Sequence, residues 1–410
     1  MPSRSAVLAL LLLLAAATAL FAPPLPNPGS ADEQMLAIGR DVPGFGGLFV
    51  DARGGIHVYV LDPARDGGLA AKALGPRATV LDGDYRFDEL LAWRYALRSL
   101  LSFDGVTTLD VDEARNRVVL GVEPSLGAEA RAALATRLTA TGIPAGAVVL
   151  ADIGAVRELP ADRATAAAVA PATVQGKFRP APGGVQIVFS GRFVCTLGFN
   201  AVLGRDFGFV INDHCTEVRG EPDGTAYSQG IPGDGIIGSE VRDPSFITEG
   251  CPVDRRCRMS DSAFARYTKK NLGVLGRVAR TTAQGDVEGS LRVSPPGSRF
   301  TVIGKAPDPL VGQQAHKVGR TTGWTAGEVV GTCVDANIST NDVTLFCQTF
   351  VAAGSGPGDS GSPVFARAGG TQARLMGILW GGGTHPVFGQ LFIFSPLSAI
   401  EQELGALKVN

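Results

Sequence analysis

The chain has 410 residues, of which 45% are hydrophobic, and its formal net charge at pH 7 is −2. This apolar content is enough to build packed cores and excludes a chain that is disordered throughout. The balanced charge, with no basic patch and no phosphate-binding glycine loop, gives no support for nucleic-acid binding. The length allows roughly two to three domains.

Residues 1–22 are typical of a secretion signal. Arg4 precedes an apolar run of Ala, Leu and Val, and small residues follow before Pro23. Such a segment is removed during export, so we expect a secreted protein, extracellular or periplasmic. The alternative is an uncleaved anchor, because the apolar run is at the lower limit of length for crossing a bilayer.

Residues 23–156 predict a small α+β domain. Two β-type runs flank the Arg53–Gly55 turn, which is a hairpin signal. His57 lies in this hairpin with no serine or cysteine motif beside it, so we interpret it as a structural residue. The later elements are a helix in 87–101, one or two strands in 107–122, a helix in 127–141 and a strand in 147–151.

The chain changes character after this domain. Residues 157–183 are rich in Pro, Ala and Gly, which suits a linker that a protease could cut. From residue 184 onward, short β-type runs recur between glycine and proline turns, and helical spacing returns only in 397–407. Many short strands with turn signals predict an all-β sandwich or a pair of barrels for 184–410.

All six cysteines lie in this C-terminal part. An even number of cysteines in an exported chain is typical of disulfides. Six cysteines allow several pairings, of which the one between sequence neighbours is the simplest. A metal site is disfavoured because CxxC spacing and paired histidines are lacking. The neighbour pairs are Cys195–Cys215, Cys251–Cys257 and Cys333–Cys347.

Ser360 is the candidate nucleophile. It lies between glycines in the stretch Gly356–Phe365 and directly follows Asp359. A serine hydroxyl reacts only when a base removes its proton and donors stabilise the oxyanion that forms. Glycines allow the tight backbone turn that points amides into the space above the hydroxyl.

His214 is the candidate base, and Asp261 is the candidate carboxylate that orients it. His214 stands where the apolar run of 207–211 ends, beside Cys215. Asp261 has small and apolar neighbours, which favour a buried carboxylate able to hold an imidazole in one tautomer. The competing carboxylates are Asp243 and Asp254, and we interpret the other histidines of this part as surface or pocket-wall residues.

Four motifs in order make residues 184–410 resemble the chymotrypsin-like serine peptidases of the bacterial streptogrisin and alpha-lytic type. The resemblance implies two perpendicular antiparallel six-stranded β-barrels with the catalytic residues in the cleft between them. The motifs are Cys195-Thr-Leu-Gly-Phe-Asn-Ala with Asp213-His-Cys, Ser260-Asp-Ser-Ala, Gly319-Arg-Thr-Thr-Gly-Trp-Thr and Gly358-Asp-Ser-Gly-Ser-Pro.

The resemblance also implies a role for each matched residue. Ser360 would attack the scissile carbonyl, His214 would carry the proton and Asp261 would orient His214. The backbone amides of Gly358 and Ser360 would form the oxyanion hole. Asp359 would be buried and need a cation, for which the bacterial relatives use the arginine of the Gly-Arg-Thr-Thr-Gly motif, here Arg320.

The substrate-binding residues are predicted on both sides of the cleft. Trp380, Gly381 and Gly382 would belong to the strand that binds the substrate backbone, and Gly354 and Ser355 would form the floor of the specificity pocket. Because no acid stands at that floor, the sequence favours a small or apolar guest over Lys or Arg. The alternative is an acidic guest bound by Ser355 with His385.

The chain departs from the family pattern just before the histidine, where Asn212 and Asp213 replace small residues. An additional acid beside the base would raise the pKa of the imidazole.

Residues 23–156 also resemble the pro-regions of secreted peptidases in this group. The sequence thus predicts a secreted serine endopeptidase made as a preproprotein, in which the pro-region acts as an intramolecular chaperone and inhibitor and the linker is cut. We expect a monomer with a polypeptide substrate, no cofactor and no metal. The alternative function is a catalytically inactive homologue that binds peptides or proteins through the same cleft.

Overall fold

A computed structural model describes residues 29–163, 172–231, 233–293, 295 and 297–410 of the chain. The predicted secretion signal and the middle of the predicted linker lie outside these ranges. Within them, no helix is long and apolar enough to cross a membrane.

The N-terminal part of the described chain contains four helices and six strands. Ser30 caps the first helix by accepting a hydrogen bond from Glu33 N, and Asp62 caps the second, which begins with Pro63. The elements are α1 (Ala31–Asp41), β1 (Phe45–Val50), β2 (Ile56–Val60), α2 (Pro63–Leu74), β3 (Thr79–Asp82), α3 (Phe87–Leu97), β4 (Val106–Asp112), β5 (Arg117–Val122), α4 (Ala128–Ala140) and β6 (Val148–Asp152).

Two of these helices, α1 and α2, were absent from the sequence prediction. The two consecutive glycines of α2, Gly67 and Gly68, lower its helix propensity by about 1 kcal/mol each. In the folded chain α2 packs on the core through Ala70, which is fully buried. The predicted helix in 87–101 consists of α3 followed by a 3₁₀ turn at Arg98–Ser102.

The connector and the C-terminal part are almost entirely strands. The elements are β7 (Arg157–Glu158), β8 (Asp162–Arg163), β9 (Ala181–Gly183), β10 (Gln186–Phe189), β11 (Phe193–Thr196), β12 (Phe199–Leu203), β13 (Asp206–Ile211), β14 (Ala226–Gln229), β15 (Ile236–Arg242), β16 (Arg256–Arg258), β17 (Ala263–Tyr267), β18 (Gly273–Ala279), β19 (Gln284–Gly285), β20 (Arg299–Lys305), β21 (Gln314–Gly319), β22 (Gly323–Asn337), β23 (Val343–Val351), β24 (Pro363–Arg367), β25 (Gln372–His385), β26 (Gly389–Pro396), α5 (Leu397–Leu404) and β27 (Leu407–Lys408).

These strands form two mainly antiparallel barrels. The first is a sheet in the order β27-β12-β13-β17-β15-β14-β10-β11-β8, curled around aromatic residues such as Phe199, Phe209 and Phe264. The second follows the order β23-β26-β25-β24-β21-β22, and a pairing between β22 and β23 closes it. The predicted two-barrel fold is therefore present.

The N-terminal part is joined to the second barrel through a shared sheet. Strand β4 pairs antiparallel with β22, with Leu109 opposite Asp335, so the order β22-β4-β5-β6 continues the barrel sheet outward. The connector then crosses between the barrels, because β7 pairs with β25 and β8 pairs with β11. This course carries residues 157–163 through the junction of the barrels.

Three disulfides join the pairs that sequence neighbourhood favoured. They are Cys195–Cys215, Cys251–Cys257 and Cys333–Cys347. The first links the end of β11 to the turn that follows β13.

Candidate active site

The turn after β13 places His214 at the junction of the barrels. The apolar strand ends at Ile211, and residues Asp213–Cys215 form one 3₁₀ turn. The Asn212 side chain donates to the Asp261 carbonyl at 2.7 Å, and the disulfide holds Cys215 to β11. The imidazole is thus fixed from both sides.

His214, Asp261 and Ser360 form one hydrogen-bonded chain. The distance from His214 Nε2 to Ser360 Oγ is 2.7 Å, and His214 Nδ1 bonds to Asp261 Oδ2. The His214 amide donates to the other carboxylate oxygen at 3.1 Å. Asp261 and Ser360 are fully buried. This is the arrangement in which a serine can lose its proton to an imidazole held in one tautomer.

The electrostatics of the pair favour a charged imidazole. Burial lowers the pKa of His214, but the charge and hydrogen bond of Asp261 and the charge of Glu158 outweigh it, and the net pKa is raised. Burial raises the pKa of Asp261, yet His214, Arg219 and Arg258 lower it to about 2. Asp261 therefore stays ionised when His214 takes up a proton.

The serine turn needs its glycines. Gly361 has a φ of 89°, and a Cβ atom there would lie 2.1 Å from the Thr196 carbonyl oxygen. The Thr196 carbonyl lies so close because the amide of the same residue donates to the Ser360 carbonyl at 2.8 Å. The turn is therefore bound to the first barrel on one side and to β24 on the other.

Asp359 is buried, and its cation is Lys317. Lys317 Nζ lies 2.9 Å from Asp359 Oδ2, and both side chains are 0% exposed. The same carboxylate accepts hydrogen bonds from the Thr321 amide at 2.8 Å and from the Thr322 hydroxyl at 2.6 Å.

The predicted Arg320–Asp359 pair is therefore wrong. Arg320 instead donates to Gln186 Oε1 at 2.7 Å and to Asp162 Oδ2 at 3.0 Å. Strand β21 explains the exchange: Lys317 stands on its buried face, whereas Arg320 follows the last residue of the strand, where the chain turns away. The Gly319-Arg-Thr-Thr-Gly motif therefore binds Asp359 through the backbone amides of Thr321 and Thr322 and the Thr322 hydroxyl.

The connector occupies the cleft beside Ser360. Ser360 Oγ donates to the Leu159 carbonyl at 3.0 Å, and the Gly358 amide donates to the Pro160 carbonyl at 3.1 Å. The Leu159 amide in turn donates to the Trp380 carbonyl at 3.2 Å. The sequence predicted only a linker for residues 157–163. The strand β7 has two residues, too few for a sequence pattern, and forms because it pairs with β25.

The predicted backbone-binding strand receives the connector in antiparallel register. Glu158 lies opposite Gly381, and Arg157 lies opposite Gly382. A Cβ atom on Gly381 would come within 2.7 Å of the Arg157 carbonyl oxygen, so glycine permits the close approach. Trp380 binds the connector through its backbone carbonyl, whereas its buried ring donates from Nε1 to Gln348 Oε1 at 2.8 Å.

The side chain of Leu159 lies beside the predicted specificity pocket. It packs against the core of the second barrel, and a cavity of 390 Å³ beside it is lined by Ser355, Gly382 and Leu391. Gly354 packs instead against the backbone of Val287 and donates its amide to Asp286. The structure thus brings Ser355 to the pocket and sets Gly354 against a neighbouring loop.

His385 lies in a different environment. Its Nδ1 accepts a hydrogen bond from the Val387 amide at 3.1 Å, and it lines a separate cavity together with Phe49 and Phe388. The structure therefore does not bring His385 and Ser355 together as an acid-binding pair.

Asp213 points away from the imidazole and binds arginines. Its Oδ2 accepts from Arg219 Nε at 2.8 Å, and its Oδ1 lies 3.0 Å from Arg258 Nη1. The Gly220 amide also donates to Oδ1 at 2.9 Å. The raised pKa of His214 thus comes from Asp261 and Glu158, and Asp213 has a different task.

Glu158, His214 and Asp261 place one possible metal-ligand atom each within 4.8 Å of one another. Every one of them has protein partners: Asp261 and Ser360 bond to the two nitrogens of His214, and Arg219 lies 2.8 Å from Glu158. These hydrogen bonds and ion pairs explain the cluster.

The two barrels, with a histidine and an aspartate beside the first and a serine in the second, make this fold chymotrypsin-like. No known protein family matches the chain by sequence profile. Among solved structures it is similar to a Nocardiopsis protease (24% identity, TM-score 0.40), covering 56% of this chain and 98% of that one. Protease A of Thermobifida fusca gives 23% identity, a TM-score of 0.39 and coverage of 56% and 97%. A glutamic acid specific serine protease gives 24% identity and a TM-score of 0.40, covering 56% of this chain and 100% of that one.

Proposed function

We propose that the protein is a secreted serine endopeptidase, made as a preproprotein, that hydrolyses peptide bonds through an acyl-enzyme. The observation that carries the proposal is the buried hydrogen-bonded chain from Asp261 through His214 to Ser360. Three such groups in line give a serine both a base and a way to stabilise the cation that the base becomes.

The mechanism follows from these atoms. His214 Nε2, 2.7 Å from Ser360 Oγ, takes the hydroxyl proton as Oγ attacks the substrate carbonyl. The amides of Gly358 and Ser360 stabilise the oxyanion, and each such donor contributes about 100- to 1000-fold to turnover. His214 then gives the proton to the leaving amine, and water repeats the sequence to release the acid.

The connector supports the inhibitory part of the proposal. Ser360 Oγ bonds to the Leu159 carbonyl oxygen, but the Gly358 amide binds the next carbonyl, that of Pro160. An oxyanion donor is thus directed away from the carbonyl that faces the nucleophile. The leaving nitrogen would also be the tertiary amide nitrogen of Pro160. Arg157–Pro160 therefore occupies the cleft as an inhibitor, and cleavage farther along the linker would release it.

The same segment supports an apolar preference in the pocket. Leu159 occupies the place of the substrate residue that supplies the scissile carbonyl, and Ser355 brings no charge to it. We therefore expect cleavage after leucine-sized side chains and poor cleavage after Lys or Arg.

A fluorophosphonate probe tests the proposal directly. The matured protein should be labelled at Ser360, and Ser360→Ala should remove both the label and peptide hydrolysis. Intact mass and N-terminal sequencing of the secreted product should show the loss of residues 23–156. A folded, matured protein in which Ser360 resists the probe would favour the inactive binding homologue, and a product that retains residues 23–156 would refute maturation.

A further inference from the structure

Arg219 lies in the cleft next to His214 and is held in one orientation. Its Nε is 2.8 Å from Asp213 Oδ2, and its guanidinium carbon lies 6.0 Å from the centre of the Phe246 ring. The Asp213 side chain is 1% exposed, whereas that of Arg219 is 23% exposed. The cation is thus anchored on its inner side and open towards the cleft.

Glu158 of the connector meets this open side. One of its carboxylate oxygens lies 2.8 Å from Arg219 Nη2, and the other accepts from Asn341 Nδ2 at 3.0 Å. The Glu158 side chain is 14% exposed. An ion pair with this degree of burial, with a second donor on the carboxylate, is stronger than an exposed surface pair.

The position of Glu158 corresponds to a defined substrate position. Leu159 presents its carbonyl to Ser360, and Glu158 is the residue before it, paired with Gly381. A substrate that binds β25 in this register places the side chain preceding its scissile residue at Arg219.

Arg219 keeps its inner partner when Glu158 leaves. Asp213 is shared between Arg219 and Arg258, so one carboxylate faces two guanidinium groups. Arg258 has two further partners of its own, Asp243 at 2.8 Å and Glu403 at 3.6 Å. When the connector leaves, Asp213 still holds Arg219 in place, and the side of the guanidinium group that faces the cleft loses its partner Glu158.

We propose that Arg219 is a specificity-determining residue that binds a glutamate side chain at the substrate position preceding the scissile residue, with Asn341 as the second donor. The inference rests on the proposed peptidase function for its substrate register. It also gives a reason for the acid directly before His214, since Asp213 orients this arginine.

The test compares two peptide amides, Val-Arg-Glu-Leu and Val-Arg-Gln-Leu. The first has the sequence of residues 156–159, and the second differs from it by one charge. Their binding to the protein secreted from the full-length chain is measured by calorimetry. We expect the glutamate peptide to bind about tenfold more tightly. In Arg219→Gln the two peptides should bind equally.

Arg256→Gln is the matched control. Arg256 also lies over the Phe246 ring, but its side chain is 47% exposed and it pairs with Asp342. The control should keep the tenfold preference. If Arg219→Gln does not fold, the unsubstituted protein still gives an answer, because the preference should shrink as salt screens the pair.

Equal binding of the two peptides to the unsubstituted protein overturns the inference, and so does a preference that persists in Arg219→Gln or fails to respond to salt. The absence of binding by either peptide also overturns it. Calorimetry needs no turnover, so in secreted protein whose intact mass shows that the connector is gone, a Ser360 that fails to react with the fluorophosphonate refutes the peptidase function while the binding data still decide the role of Arg219.

Discussion

Replacing Lys317 by Met should strongly destabilise the C-terminal barrel. Lys317 and Asp359 are both fully buried and lie 2.9 Å apart. Removal of one member of such a pair leaves an uncompensated buried charge, which costs about 3–5 kcal/mol. The amides and the hydroxyl that also bind Asp359 place the expected loss near the lower end, at about 3 kcal/mol.

The matched variant is Arg320→Met, which removes the cation of the neighbouring motif. Its side chain bonds to Gln186 and to Asp162, whose side chain is 50% exposed. We expect a loss of about 1 kcal/mol for this variant. The free energy of unfolding of each uncleaved chain, in which Asp162 is still present, is measured by urea denaturation and gives the comparison.

The pH dependence identifies the charge that causes the loss. Burial raises the pKa of Asp359, but Lys317 and the Thr322 hydrogen bond outweigh it, and the net pKa is lowered. In the unsubstituted protein this carboxylate contributes stability above its ordinary pKa that is lost as pH falls through the lowered value. In Lys317→Met the sign reverses, because protonation of Asp359 removes the unpaired charge, so the loss should shrink in acid.

A double variant completes the test. Adding Asp359→Asn to Lys317→Met should restore part of the stability, because no buried charge is left unpaired. The reasoning is refuted if Arg320→Met costs more than Lys317→Met, or if the Lys317→Met loss does not depend on pH.

Three further outcomes are expected. His214→Ala should reduce kcat/KM for a peptide substrate by about 10⁴-fold or more while leaving the urea transition in place, and retention of activity would refute its role as the base. Glu158→Gln should speed fluorophosphonate labelling of Ser360 in the full chain and lower the pKa of His214, since the Glu158 charge raises that pKa; an unchanged pH profile of labelling would contradict this. Burial raises the pKa of Asp110 well above its usual range, on the strand β4 that pairs with β22. The pairing of β4 with β22 should therefore be stable in acid and weaken as pH rises towards the raised pKa of Asp110. Asp110→Asn should remove this pH dependence. Limited proteolysis at a series of pH values measures both.

Local motifs were sufficient to predict the three hydrogen-bonded residues of the site. His214 ends an apolar strand, Ser360 lies in a turn that only glycines permit, and Asp261 has small neighbours. Each of these signals is carried by residues adjacent in sequence, because the physical requirement is itself local: a strand end, a positive φ or a small neighbour. The same kind of signal, repeated along residues 184–410, predicted an all-β sandwich or a pair of barrels, and the resemblance of four motifs to the chymotrypsin-like peptidases implied the pair of barrels.

Partners distant in sequence required the tertiary structure. Lys317 and Arg320 stand three positions apart, and only the register of β21 shows that Lys317 faces Asp359. Similarly, Arg157–Glu158 has the composition of a linker and becomes a strand because the β25 edge offers it hydrogen-bond partners.

The residues of the chain thus specify the strands, the tight turns and the chemistry of the site, through strand periodicity and glycine turns, and the family resemblance adds the pair of barrels. The fold decides which cation neutralises Asp359, which segment occupies the cleft and which acid Arg219 binds. The physical reason is that an ion pair or a strand pairing depends on the distance between groups in space, and that distance is set by the packing of the two barrels.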